Sequence, residues 1–299
     1  MMSVTRREET IAAVALLSVT ASWGASFVLM KDAIERQPVP DFLFTRFALA
    51  ALVMIVARPR VLRDITPRVL WTGSIVGAIL GAGYITQTIG LQLSTAAITG
   101  FLTGLYVILT PLIGWLFLKQ KLNGRVIIGA VLALGALAIL SITDVGVGEG
   151  TWWVLICALL FALHIVTLGV WSPGADAYAL TVVQIVVVAV MTGVWTFGDG
   201  NGFVIPPDAS VWGAVIITAV FATALGFFLQ TWAQGHMDPG RVAILLTTEV
   251  LWAGIIAVGV GQEPLTIRLI IGGAIMFAAM LVIEWPGQKR PEHPLVHLE

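Results

Sequence analysis

Apolar residues run along this chain in blocks of roughly twenty, each closed by a short cluster of charges, Gly or Pro. Ten blocks can be drawn, near residues 10–30, 41–57, 69–91, 95–118, 124–143, 151–171, 177–197, 210–233, 241–259 and 266–285. A helix rises ~1.5 Å per residue and the hydrocarbon layer of a bilayer is ~30 Å thick, so each block matches one membrane span. Barrel strands would alternate apolar and polar residues, and runs such as Ile185-Val186-Val187-Val188-Ala189-Val190 do not. The pattern predicts an all-α integral membrane protein of ten transmembrane helices. Its connections are as short as Leu93-Ser94 and Asp238-Pro239-Gly240.

Composition agrees with the pattern. Of 299 residues, 58% are hydrophobic and only 11% charged, whereas soluble domains carry about 25% charged residues. A net charge of −1 supplies no basic field for nucleic acid. The single cysteine, Cys157, cannot close an intrachain disulfide.

Basic residues set the expected orientation. With the N-terminus in the cytoplasm, twelve Lys and Arg fall inside and four outside, the four being Lys31, Arg36, Arg46 and Arg268. Both termini are then cytoplasmic, in a bacterial-type inner membrane. The first block is longer than the apolar core of a signal peptide and is read as a retained span. The tail 291–299 is polar and is read as a loose cytoplasmic end.

Shifting the sequence by 143 residues lays its second half on its first. Gln87-Thr88 falls on Gln230-Thr231, Leu122 on Leu265, Arg125 on Arg268 and Gly129 on Gly272. Residues 1–145 and 146–290 are therefore read as two repeats of five spans. Five is odd, so the second copy enters the membrane from the opposite side. Inverted repeats give carriers two nearly equivalent conformations with a binding site between the halves.

Several segments carry a resemblance. Trp23-Gly24-Ala25-Ser26-Phe27 with Lys31, Arg46-Phe47-Ala48-Leu49-Ala50, Thr110-Pro111-Leu112, residues 129–135, Glu249-Val250, Gln262-Glu263-Pro264-Leu265-Thr266 and Gly272-Gly273 resemble the signatures of the drug/metabolite transporter superfamily, EamA type. The resemblance covers roughly residues 10–285. Gln120 stands where the first copy usually has Glu, and Val250 where Pro is common. Within the superfamily the chain is most similar to YddG-type exporters of aromatic and other neutral amino acids. That resemblance implies a central cavity lined by helices 1, 3, 4, 6, 8 and 9.

Ionisable side chains at membrane depth need a partner or an aqueous cavity. Glu249 and His164 stand out. Glu249 mirrors Tyr106 at the 143-residue offset, so the two face a cavity from related positions. Glu249 receives a substrate ammonium or a proton with Tyr106 donating a hydrogen bond, or else it is a protonated acid that bonds a neighbouring helix. If Phe161 answers Trp23, His164 answers Ser26; His164 is either a proton sensor or a hydrogen-bonded core residue. Gln87 and Gln230 are gate contacts or packing residues. Trp23, Trp252, Tyr84 and Tyr106 are deep aromatics able to stack on a substrate ring or attract an ammonium group, or to pack only. Lys31 closes the first helix as an interface anchor or a gating residue.

No His-Glu-x-x-His, Gly-x-Ser-x-Gly or Walker phosphate loop occurs. The expectation is a non-enzymatic, cofactor-free secondary carrier that exports amino acids by alternating access, with protons as a possible second cargo. It is expected to be a monomer or weak dimer in the lipid bilayer. The alternatives are an exporter of sugars or drug-like cations, and a membrane-embedded sensor or assembly subunit.

Overall fold

The computed structural model describes residues 6–93, 99, 102–119, 124–141, 149–198, 200–259 and 265–284. Among them there is helix and no strand. In chain order the long helices are α1 (Arg6–Arg36), α2 (Val39–Ala57), α3 (Pro67–Leu93), α4 (Tyr106–Leu118), α5 (Gly124–Ser141), α6 (Glu149–Trp171) and α7 (Ala177–Gly198). There follow α8 (Ala209–Gln234), α9 in two pieces (Pro239–Leu246 and Thr248–Gly259) and α10 (Ile267–Glu284). Ser94, Gly100, Gln120, Leu122, 262–264, Trp285 and the tail 291–299 lie outside the described residues, as does the side chain of Lys31.

Helix ends follow local chemistry. Glu8 and Glu9 open α1 and Arg36 closes it, matching the positive and negative ends of the helix dipole. Pro38 and Pro40 start α2, where missing N–H groups cost nothing. The Asp208 side chain caps α8 by accepting from Ser210 N and Val211 N, and Asp238 caps α9 by accepting from Gly240 N. α4 stops at Lys119, whose φ of 53° is left-handed.

Five helices, α2, α3, α6, α7 and α8, are each long and apolar enough to cross a membrane; α4, α5 and α10 hold shorter apolar stretches. The outer surface is apolar. Trp71, Phe117, Val194 and Ile267 are 69%, 71%, 69% and 75% exposed, which fits lipid rather than water. Inside, α3 lies along α6 and α7, α2 along α7, α1 along α9, and α5 along α10. Lipid gives helices no hydrophobic reason to associate, so close contact rests on small residues. Gly73 and Gly77 of α3 serve this end against α7: a Cβ on Gly77 would stand 2.8 Å from Gln184 Cα.

Polar contacts join the two repeats at both ends of the bundle. At one end Arg58 bridges Asp64 at 2.7 Å and Asp176 at 2.9 Å, while Tyr178 OH donates to Met54 O. At the other, Arg36 pairs with Asp208, Gln37 donates to Val204 O, and Asp41 accepts from Val204 N.

Three predicted spans are not regular helices. α8 contains a π-helical stretch, Thr218–Leu225. α9 breaks at Thr247 and restarts at Thr248, so Glu249 lies in the first turn of its second piece. α4 begins at Tyr106 after a turn at Gly104 and Leu105. Gly104 and Thr247 are 143 residues apart. The two breaks are thus repeat-related, and each stands just before one of the pair Tyr106 and Glu249.

Candidate functional site

A cavity lined by side chains of both halves lies between them. Eight of the nine residues expected to bind substrate line it: Trp23, Ser26, Tyr84, Gln87, Tyr106, His164, Gln230 and Glu249. Trp252 is half-buried on α9 and is not among the lining residues. The resemblance implied walls from helices 1, 3, 4, 6, 8 and 9. All six contribute, and α2 joins them through Arg46.

The lining keeps the pseudo-symmetry of the chain. Tyr84 and Phe227, Gln87 and Gln230, and Tyr106 and Glu249 are 143-residue pairs, and every member faces the cavity. Trp23 with Phe161 and Ser26 with His164 form the α1–α6 pairs, again all present. Glycines make room for two of these rings. A Cβ on Gly83 of α3 would meet Phe161 Cε1 at 2.5 Å, and one on Gly226 of α8 would meet Trp23 Nε1 at 3.1 Å. Gly83 and Gly226 are also 143 residues apart. Each repeat therefore seats the other's helix-one aromatic ring on an equivalent glycine.

The aromatic wall is continuous. Phe227 stands 5.4 Å from Trp23 and 6.1 Å from Tyr84 between ring centroids, and Tyr84 stands 5.6 Å from Phe161. Such spacings are those of attractive edge-on and tilted pairs.

Arg46, placed in the second block and counted with the outer charges, is the eighth residue of α2 and only 2% exposed. Pro38, Pro40 and Asp41 make the start of that block look interfacial in sequence, yet helix geometry already holds from Val39. Arg46 Nε donates to Thr223 Oγ1 at 2.7 Å, and Nη1 reaches Met30 Sδ at 3.0 Å. Its Cζ lies 5.5 Å from the centroids of both Phe47 and Tyr84, a cation–π arrangement. The π stretch of α8 holds two cavity residues: Thr223 accepts from Arg46, and Ala222 O accepts from Trp23 Nε1 at 2.7 Å. Wider π turns often occur at functional sites for this reason.

His164 is tied down by Gln184, a residue the sequence reading passed over. Gln184 Nε2 donates to Leu180 O at 3.3 Å and Thr231 Oγ1 at 3.4 Å, which leaves its Oε1 to face His164 Nε2 at 3.0 Å. Oε1 can only accept, so His164 Nε2 carries a proton. Gln234 is oriented in the same way by donation to Ile165 O at 2.7 Å, so its Oε1 accepts from Gln230 Nε2 at 3.0 Å. Gln230 Oε1 then has no hydrogen-bond partner among the described residues. Ser26 Oγ donates back to Ser22 O, and Gln87 Nε2 contacts Thr103 Oγ1 at 3.4 Å. Beside Glu249, Thr248 Oγ1 meets Thr20 Oγ1 of α1 at 2.9 Å. No cluster of metal-ligating side chains is found among the described residues.

A helical bundle with a largely apolar cavity between two repeats, carrying a few polar groups and walled in part by interrupted helices, is built as a membrane transporter. The chain matches the EamA-like transporter family twice, over residues 10–142 and 148–285. It belongs to that family, within the drug/metabolite transporter superfamily, and is not an enzyme. An uncharacterized transporter of Archaeoglobus fulgidus is 28% identical over 269 residues, covering 90% of this chain and 84% of the relative. The uncharacterized transporter YvbV of Bacillus subtilis is 25% identical over 290 residues, covering 92% of each. A solved crystal structure superposes with a TM-score of 0.78 at 17% identity, covering 92% of this chain and 96% of the other, and supports the fold.

Proposed function

We propose that this transporter is a secondary carrier that exports amino acids, chiefly aromatic and other neutral ones, by alternating access. The observation that carries the reading is the composition of the cavity: the rings of Trp23, Tyr84, Phe161 and Phe227 line it together with a buried carboxyl group, Glu249. An aromatic or aliphatic side chain finds apolar surface there, and an α-ammonium finds the carboxylate. Glu249 has no hydrogen-bond partner among the described residues, so its oxygens are open to cargo, an ammonium in one state and a proton in another. Tyr106 is its hydrogen-bonding counterpart, and Gln87 and Gln230 serve opposite mouths of the cavity. Ser26 and His164 add polar contacts on the walls from α1 and α6. Lys31 does not close α1, which runs on to Arg36; it is assigned as an anchor or gate within the outer part of that helix.

The carrier works in a bacterial-type inner membrane with both termini and the tail 291–299 cytoplasmic, as a monomer or weak dimer. The two repeats meet between residues 145 and 146, and the halves rock about the cavity. Aromatic rings with a carboxylate also suit a drug-like cation, the competing cargo. Counterflow into proteoliposomes, with labelled amino acids and an empty-liposome control, separates the two. Saturable exchange of Phe, Met or Thr is the expected result. Exchange of organic cations with none of any amino acid would refute the assignment.

A further inference from the structure

Arg46 places a positive charge in the cavity. It is buried, and no carboxylate pairs with it among the described residues. Its protein partners are the hydroxyls of Thr223 and Tyr84, the Met30 thioether and the ring faces of Phe47 and Tyr84, none of them charged. Nε is engaged by Thr223 and Nη1 by Met30, and the Tyr84 hydroxyl also lies against the guanidinium; all of these partners are neutral, and five N–H donors exceed them. A guanidinium out of water with so few acceptors is poorly compensated, and a carboxylate is the planar, bidentate partner that suits it best.

The repeat sharpens the point. Val39 starts α2 and Ala177 starts α7, a shift of 138 residues, which is also the separation of Ser26 and His164. The same shift takes Arg46 to Gln184. Gln184 spends both ends of its amide on the protein, through His164, Leu180 and Thr231. At the equivalent position the first repeat has a cation with donor capacity left over, in the cavity that also holds Glu249. A dianion such as a phosphate would meet repulsion from Glu249. A zwitterion satisfies both charges.

We propose that Arg46 is the carboxylate anchor of this transporter, so that the cargo lies with its carboxylate on α2 and its ammonium towards Glu249 on α9, and that Arg46 is what separates α-amino acids from the corresponding amines. The proposal rests on the amino-acid reading and adds an orientation and a specificity residue to it.

The test is competition against labelled phenylalanine in counterflow, with unlabelled phenylalanine, phenethylamine, which lacks the carboxylate, and 3-phenylpropionate, which lacks the ammonium. In the wild type phenylalanine should compete about tenfold or more better than phenethylamine, the range of a charge-assisted contact. Arg46→Gln, which keeps a donor for Thr223, should bring that ratio close to one, and Arg46→Lys should restore part of it. Equal competition by phenylalanine and phenethylamine in the wild type would overturn the anchor while leaving amino-acid exchange in place. An unchanged ratio in an active Arg46→Gln protein would do the same. If the variant fails to fold, the wild-type ratio still decides. Absence of any phenylalanine exchange, with phenethylamine exchanged, would remove the amino-acid reading and the anchor together.

Discussion

Helices α3 and α8 are repeat mates, yet one is smooth and the other is interrupted. α3 is a continuous helix of 27 residues whose Gly73 and Gly77 let it press against α7. In α8 the stretch that mirrors the middle of α3 is π-helical, and it spends Ala222 O and Thr223 Oγ1 on Trp23 and Arg46. Both mates still present a glycine to a cavity ring, Gly83 to Phe161 and Gly226 to Trp23. The duplicated sequence thus keeps the shape of the cavity symmetric, while its polar chemistry diverges. A carrier needs two nearly equivalent states, so shape is the part that symmetry must preserve.

Substitutions can break this comparison in order of severity. Gly77→Leu forces a side chain into the backbone of α7, and overpacking of this kind costs ~1–3 kcal/mol or more. The expected outcome is loss of the monodisperse peak in gel filtration. Gly83→Ala comes next, because its methyl overlaps Phe161 and drives the ring into the cavity. Phenylalanine counterflow should fall by about an order of magnitude with the protein still folded, an ordinary response to a displaced positioning group. Gly226→Ala needs a shift of only a few tenths of an ångström at Trp23 and should be milder. Equal losses at the two glycines would mean that α3 and α8 seat their rings alike. Trp23→Phe removes the donor to Ala222 O and leaves that carbonyl short of a partner, a loss of ~1 kcal/mol to be read from thermal unfolding. The smallest effect belongs to the cap of α8. Backbone N–H groups of Val211 and then Ser210, together with Arg36, hold the Asp208 carboxyl below its ordinary range. A depressed acid stabilises the fold above its unfolded pKa of ~3.9, and the contribution fades as pH falls through the lower folded value. Asp208→Asn should flatten the acid limb of stability in a pH series of unfolding midpoints.

Much of this was readable from the chain. Ten blocks gave the helices. A constant offset gave the pairs Tyr106 with Glu249 and Gln87 with Gln230, because duplication preserves spacing even where identity is modest. The burial of Arg46 was not readable: the second block already holds it, but its charge was counted on the outer side, and sequence does not show that it faces the cavity. Nor was the π turn: Thr218–Leu225 carries no charge, Gly or Pro to mark a break. Gln184 was overlooked inside an apolar run because its role lies in partners on α6 and α8. Trp252 was chosen on depth alone, and depth does not say which face of a helix meets a cavity.

The central claim is that cargo occupies the cavity between the repeats. Its most direct test is substrate protection of a cysteine placed there, at Ser26→Cys, against a water-soluble maleimide, with the wild type and its buried Cys157 as background. Phenylalanine should slow the labelling saturably, over the concentration range that half-saturates counterflow. Labelling that proceeds at the same rate while the same protein exchanges phenylalanine would place the cargo elsewhere and contradict the account.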